Sequence, residues 1–379
     1  MTKRLFDADA FMKEFEAQVL SCTPDGKRYA TVLEQTAFFP AGGGQAADAG
    51  TLGGQEVLDV RETDGVIYHY TAQPLSGTVR GVLDWDTRFE RMQNHSGEHV
   101  VSGIIHRCTG ADNISFSLTD TETTLAFNVP LDEALIKNVE RQANEAVFAD
   151  KKITAFYPDS AALSRYDYRS KLDLRERVRL VKIEDVDLCA CCAPHCASTG
   201  QIGLIKIIDS ESYKGGTKLW IVCGKRALAH YDMLLGENKD ISHLLCAKAD
   251  RTAAAVAKLK KAKEAAEYEN VGMRRAAIAA AVAAVEPTQG NYLAHCAFKG
   301  DDLRLFADGL KEKVGGFIIA LEGDDASGYR YVLTAAHRDI TAILKDANAA
   351  LNGKGGGRDN MARGSYGAKW EQIKEYFDK

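Results

Sequence analysis

Two short patterns far apart in the chain, His95-Ser-Gly-Glu-His99 and Cys191-Cys-Ala-Pro-His195, constrain this fold more than anything else in it. Two histidines four apart on a helix project onto one face, a turn from each other. A cysteine four residues before a histidine can close on the same point from a tight turn. If the two patterns meet, a helix must pack against a distant turn. Imidazoles with a thiolate suit Zn²⁺ better than magnesium or calcium, which take oxygen ligands. The residues nominate His95, His99, Cys191 and His195, one ion per chain, with Cys189, Cys192 and Cys196 as competitors. The competing reading of those three is as small buried hydrophobes in a turn. His95-x-x-Glu98-His99 also fits the H-x-x-E-H signature of inverted zinc peptidases, whose glutamate is the general base. A Cys-x-x-x-His turn would fill the coordination position such an enzyme keeps for water.

A chain of 379 residues suggests two or three domains. With 45% hydrophobic and 27% charged residues it reads as an ordinary globular protein. A net charge of −5 gives no global pull toward nucleic acid and leaves such binding to local patches. The first twenty residues carry charges throughout, unlike a signal peptide, and no run approaches the roughly 18 apolar residues of a membrane span. Nine cysteines, four of them within 189–196, do not resemble a secreted disulfide framework. The expectation is a cytoplasmic protein with no membrane partner.

Taken in order, residues 15–90 alternate as short strands split by Gly-Gly, Asp-Gly and Ser-Gly turns, the pattern of a small barrel. Gly42-Gly-Gly-Gln45 reads either as a plain turn or as backbone that approaches a ligand, with Gln45 offering donors and an acceptor. From Asp86 the period becomes helical, with Met92, His95, His99, Ser102 and His106 near one stripe and Gly110 as a stop. A β segment, a second helix near 131–151, and strands around the cysteine turn follow. That order predicts an α+β domain with helices on one face of a mixed or antiparallel sheet. Residues 230–286 are rich in alanine, lysine and glutamate and predict a long helix or helical hairpin, interrupted at Gly272 and ended by Pro287. Residues 291–379 predict a separate small α/β domain, with Gly353–Arg358 as a flexible loop and a last helix.

Four stretches, in order, resemble the editing domain of alanyl-tRNA synthetase and its free-standing AlaX-type relatives. "QTAFFPAGGGQAADAGTL" is similar to the family's N-terminal barrel signature. "DWDTRFERMQNHSGEHVVSG" is similar to its H-x-x-x-H helix, and "DLCACCAPHCASTGQIGLIKI" to its C-x-x-x-H turn. "GKGGGRDNMARGS" resembles the glycine-rich signature of the C-terminal DHHA1 domain of the longer members. The departures are HSGEH where HTAQH is commoner, and Cys-Ala-Pro-His where Gly-Gly-Thr-His is commoner. The proline before His195 is similar to the threonyl-tRNA synthetase editing domain.

The resemblance implies an α+β chain in four parts: an N-terminal small β-barrel over 1–88, a zinc-binding editing domain over 89–235, a helical linker over 236–289 and a DHHA1-like domain over 290–379. It implies that His95, His99, Cys191 and His195 hold zinc. It places Gln45, Gly43 and Gly44 near the aminoacyl end of a tRNA, and Thr36 beside the substrate side chain, where it would select the serine hydroxyl. Glu98 is the candidate to assist a water. Arg165, Arg169, Lys171, Arg175, Arg177, Arg179 and Lys182, interleaved with tyrosines, form a basic stretch suited to a tRNA backbone, as do Lys214, Lys218, Lys225 and Arg226. Gly355, Gly356 and Arg358 would let backbone approach a phosphate. The implied activity is hydrolysis, in trans, of serine or glycine wrongly esterified to tRNA(Ala), with a homodimer formed through the linker or the C-terminal domain. The competing reading is a tRNA- or single-strand-binding protein with a purely structural zinc.

Overall fold

The computed structural model describes residues 1–170 and 178–378, in two compact units, Met1–Asp240 and Ile241–Lys379. The architecture is mixed α+β with several sheets.

The first unit opens on seven strands: β1 (Glu14–Asp25), β2 (Arg28–Leu33), β3 (Gly50–Leu52), β4 (Gln55–Glu56), β5 (Asp59–Thr63), β6 (Val66–Thr71) and β7 (Thr78–Leu83), in the order β4-β3-β7-β1-β2-β6-β5. The long β1 makes this possible. Its register shifts between Val19 and Ser21, so its first half pairs with β7 and its second half with β2. Asp64 and Gly65 both take positive φ, as a tight hairpin between β5 and β6 requires. Inward residues alternate along the strands and join Phe6, Phe38 and Phe39 in one core, with Phe6–Phe39 and Phe15–Phe38 edge to face at 5.5 and 5.7 Å.

The sheet is not a closed barrel. Its two edge strands, β4 and β5, follow one another in sequence with only Val57 and Leu58 between them. Those two give one N–H each, to Gly50 O on one side and Tyr70 O on the other, so the chain crosses between the edges without completing a ladder.

Next comes helix α1 (Trp85–Thr109), capped by Asp84, whose side chain accepts the Thr87 N–H, and closed by Gly110 at φ 70°. Residues 91–105 are buried without a break, although many are polar. A buried helix is normally apolar all round, so each of these polar groups needs a partner. Above α1 lies an antiparallel sheet of β8 (Asn113–Leu118), β9 (Thr123–Phe127), β13 (Ile205–Tyr213) and β14 (Gly216–Cys223), in the order β8-β9-β14-β13. Helix α2 (Glu133–Phe148) packs on α1 around Val139 and Ala143. A third sheet, β10 (Ile153–Phe156), β11 (Leu180–Ile183) and β12 (Asp187–Ala190), leads into the cysteine turn. Helix α3 (Lys225–Leu244) follows β14.

In the second unit, helix α4 (Thr252–Ala283) runs straight through Gly272, contrary to the interruption expected there. The break falls earlier, after α3, where Cys246 takes φ 49°. A five-stranded sheet follows, made of β15 (Tyr292–His295), β16 (Ile318–Asp324), β17 (Gly328–Thr334), β18 (Gly353–Arg358) and β19 (Met361–Tyr366), in the order β15-β16-β17-β19-β18. Helices α5 (Asp301–Gly309), α6 (Thr341–Ala350) and α7 (Trp370–Phe377) complete two cores. The glycine run 353–358 is an edge strand, not a flexible loop.

Candidate functional site

Four side chains from α1 and the turn after β12 converge. The ligand atoms of His95, His99, Cys191 and His195 all lie within 4.8 Å of one another. Cys191 Sγ is 3.5 Å from His95 Nε2 and 3.3 Å from His195 Nε2. The rings are oriented from behind. His95 Nδ1 pairs with Gln45 Oε1 at 2.7 Å, His99 Nδ1 with Asp187 Oδ2 at 3.0 Å, and His195 Nδ1 with Ser96 Oγ at 3.1 Å. With Nδ1 engaged in all three, Nε2 is the nitrogen left to the cluster, as in sites where the second ring nitrogen fixes a metal ligand.

The donors are chemically ready. Burial alone would raise the Cys191 thiol, but His95 and His195 outweigh it and hold the thiol well below its usual range. Burial pushes His195 down to about 3, keeping its imidazole neutral. Burial would likewise raise Asp187, yet His99 and Arg169 bring it to about 2. Arg169 reaches Asp187 with two bonds of 2.8 Å. His99, Asp187 and Cys189 also lie close enough to hold an ion. There, however, burial pushes the Cys189 thiol up to about 11 and Asp187 is already neutralised by Arg169. Cys196 is buried, with its thiol pushed up to about 12, and its N–H donates to Ser96 Oγ.

His95, His99 and Cys191 line a cavity of about 590 Å³ shared with Gly43, Gly44, Glu98, Asn113 and Phe116. Gly44 takes φ 86°, and a Cβ there would lie 2.5 Å from Phe116 O. Its backbone docks on β8 through Leu118 N–H to Gly44 O, and Ala46 N–H to Leu118 O, which carries Gln45 to His95. Glu98 Oε1 accepts from Ser102 Oγ at 2.7 Å and Asn113 Nδ2 at 2.6 Å, and its Oε2 lies 3.7 Å from His99 Nε2. A carboxylate held beside the ligand atoms can position a proton acceptor.

Comparison with known proteins agrees with this geometry. Residues 178–218, which carry the cysteine turn, match the family described as the threonyl and alanyl tRNA synthetase second additional domain. Alanyl-tRNA editing protein AlaX-L of Pyrococcus horikoshii is 27% identical over 98% of this chain and 96% of its own length. Alanyl-tRNA editing protein Aarsd1 of Danio rerio is 27% identical over 94% of this chain and 92% of its own. The alanine–tRNA ligase of Pyrococcus abyssi is 36% identical over 61% of this chain, which spans only 27% of that enzyme. Over nearly its whole length this chain is similar to AlaX-type editing proteins.

Of the other residues singled out from the sequence as substrate or tRNA contacts, Arg169 and Arg179 line the same cavity and the rest of those described lie elsewhere. Thr36 is not brought to the cavity. It is wholly buried, its Oγ1 2.8 Å from His69 Nε2 and accepting the Phe38 N–H. His69 Nδ1 faces Thr31 O at 3.2 Å, so Nε2 is the acceptor and takes the Thr36 hydroxyl proton. Lys214 and Lys218 lie on the β13–β14 hairpin, their ammonium groups over the rings of Tyr213 and Trp220. Lys225 pairs with Asp86, and Arg226 with Glu90. Arg169 is committed to Asp187, and Arg179 holds the metal turn. Lys171, Arg175 and Arg177 lie outside the described residues. Gly355 and Gly356 belong to β18, with Arg358 at its end.

Sequence reasoning missed the residues that support the cluster. Asp187, Ser96 and Asn113 have no spacing relation to the histidines that would reveal them. Arg88, buried in α1, forks onto Asp48 and donates to Ala10 O and Ala37 O. Arg91 reaches Ala47 O and Asp120. These two arginines clamp the loop that carries Gln45. The available signal was the pair of arginines inside a helical stripe that otherwise reads as core.

Proposed function

We propose that this protein deacylates tRNA(Ala) wrongly charged with serine, and with glycine, acting in trans at a zinc site. The observation that carries this reading is the convergence of three imidazoles and a thiol held below its usual range, with His95, His99 and Cys191 on the wall of a cavity. The donor set fits zinc. A tetrahedral ion with Zn–S of about 2.3 Å and Zn–N of about 2.0 Å has S···N edges of about 3.5 Å, against the 3.5 and 3.3 Å found. When bound, zinc supplies a Lewis-acidic anchor for the substrate or its attacking water.

The chain's own residues do the rest. An aminoacyl ester is already activated, so positioning matters more than a strong nucleophile. Glu98, held by Ser102 and Asn113 beside His99, is the carboxylate assigned to take a proton from water. Gln45 fixes the His95 ring, and its buried Nε2, which has no bond among the described residues, is the donor assigned to the aminoacyl end. With Thr36 committed to His69, recognition of the serine hydroxyl falls to polar groups of the cavity wall, Asn113 and Ser115 among them. A pocket that pairs a hydroxyl rejects its alanine analogue strongly, because the polar group is then left unpaired.

The finer organisation belongs to the same proposal. It comprises a barrel-like segment 1–88, an editing domain 89–235, a helical linker 236–289 and a DHHA1-like domain 290–379, in a cytoplasmic protein that dimerises through its linker or C-terminal domain. Lys214, Lys218, Arg175, Gly355, Gly356 and Arg358 are the proposed tRNA contacts. Purified protein should release serine from Ser-tRNA(Ala), leave Ala-tRNA(Ala) intact and lose activity to a chelator. Stable Ser-tRNA(Ala) in the presence of protein carrying one zinc per chain would overturn the reading.

A further inference from the structure

Tyr157 lines the cavity and makes no ring contact with another aromatic side chain among the described residues. It follows β10 directly, lines the same cavity as the histidines and is 45% exposed. Its ring is nevertheless fixed, because the hydroxyl donates to Asp7 Oδ2 at 2.8 Å. Asp7 in turn faces Arg179, whose Nε is 3.7 Å from Asp7 Oδ1. Arg179 grips the metal turn itself. Its Nη1 donates to Cys191 O at 3.0 Å and Ala193 O at 2.9 Å, and its carbonyl accepts the Cys191 N–H. Tyr157, Asp7 and Arg179 therefore form a rigid link from the cavity mouth to a cluster residue.

We propose that Tyr157 is the platform on which the 3′-terminal adenosine of the substrate stacks, with Asp7 and Arg179 setting its distance from the Cys191 turn. This rests on the reading of the cavity as an aminoacyl-tRNA site. An exposed ring already locked by its hydroxyl loses little freedom when a base covers it, and stacking tolerates any base because each has a π-face. Exposed Ile114 adds apolar surface on the same wall. Arg4, at the same mouth and paired with Glu62, adds positive charge where a phosphate would pass. A fixed span from base to metal turn is what a site must have if it positions one ester bond rather than binding tRNA at large.

The test uses the full-length, zinc-loaded protein, with adenosine as a probe by titration calorimetry and Ser-tRNA(Ala) as substrate. Tyr157→Ala should weaken adenosine binding and raise the KM for Ser-tRNA(Ala), each on the order of 10- to 100-fold, with a much smaller change in kcat. Tyr157→Phe keeps the stacking ring but breaks its link to Asp7, so it should bind adenosine within a few-fold of wild type and fall between wild type and Tyr157→Ala in KM. Wild-type adenosine affinity in Tyr157→Ala, or a Phe variant as impaired as the Ala variant, would overturn the platform. Should the wild type bind adenosine through Tyr157 yet leave Ser-tRNA(Ala) intact, the platform stands and the deacylase reading fails.

Discussion

Asp187 serves two partners at once, accepting His99 Nδ1–H on Oδ2 and the Arg169 fork on both oxygens. Replacing it with asparagine leaves the shape but removes the charge that orients the His99 ring. Zinc affinity of Asp187→Asn should fall about 10- to 100-fold, as for other lost partners of ligating histidines, read by competition with a chromogenic chelator. A second residue-scale consequence concerns His69. Burial holds it at about 4, below its usual 6.5, and the neutral ring is the one that accepts from Thr36. The unfolded chain therefore binds a proton that the folded one refuses. The resulting stability is complete above pH 6.5 and is lost as pH falls toward 4. It should decline by about 1.4 kcal/mol per pH unit within that window. Urea unfolding at stepped pH would show this slope in the wild type and a shallower one in His69→Gln.

At the scale of elements, two glycine-rich segments of similar composition do different work. Gly44 needs both its left-handed φ and the space beneath Phe116 O, so Gly44→Ala should cost at least about 2 kcal/mol and detach Gln45 from His95. In β18, a Cβ on Gly355 would meet Tyr331 Oη at 2.4 Å and Gly364 Cα at 2.6 Å, whereas one on Gly356 meets nothing within 4 Å. Thermal unfolding should find Gly356→Ala within about 0.5 kcal/mol of wild type and Gly355→Ala destabilised by about 2 kcal/mol or more. The sequence showed glycines in both places without showing which strand lay against them. It read 353–358 as a loop because β-propensity is absent there; the ladder to β19 comes from tertiary pairing. Helix α1 was legible from Asp86 to Gly110, since the histidine spacing and Gly110 are local signals, whereas its cap at Asp84 came from the structure. The partners of its buried arginines were not, because Asp48 and Ala37 are joined to Arg88 only by the fold. Thr36 was misplaced for the same reason: nothing in the chain around it announces His69.

At the scale of the molecule, the candidate metal cluster draws all four side chains from the first unit, Met1–Asp240, and the second unit has cores of its own in its sheet and helices. A metal that binds only the folded form adds its binding free energy to the unit that holds it and to nothing else. If the units unfold independently, calorimetry of the full chain should resolve two transitions. Stripping zinc with a chelator should then lower one transition by several degrees and leave the other in place. Cys191→Ala without chelator should reproduce the lowered transition, because a buried set of three imidazoles without its thiolate binds zinc far more weakly. Gly355→Ala should move only the other transition, because β18 belongs to the second unit. The two perturbations together assign each transition without cutting the chain. A single transition that shifts as a whole under either perturbation would mean that the two units share one cooperative core.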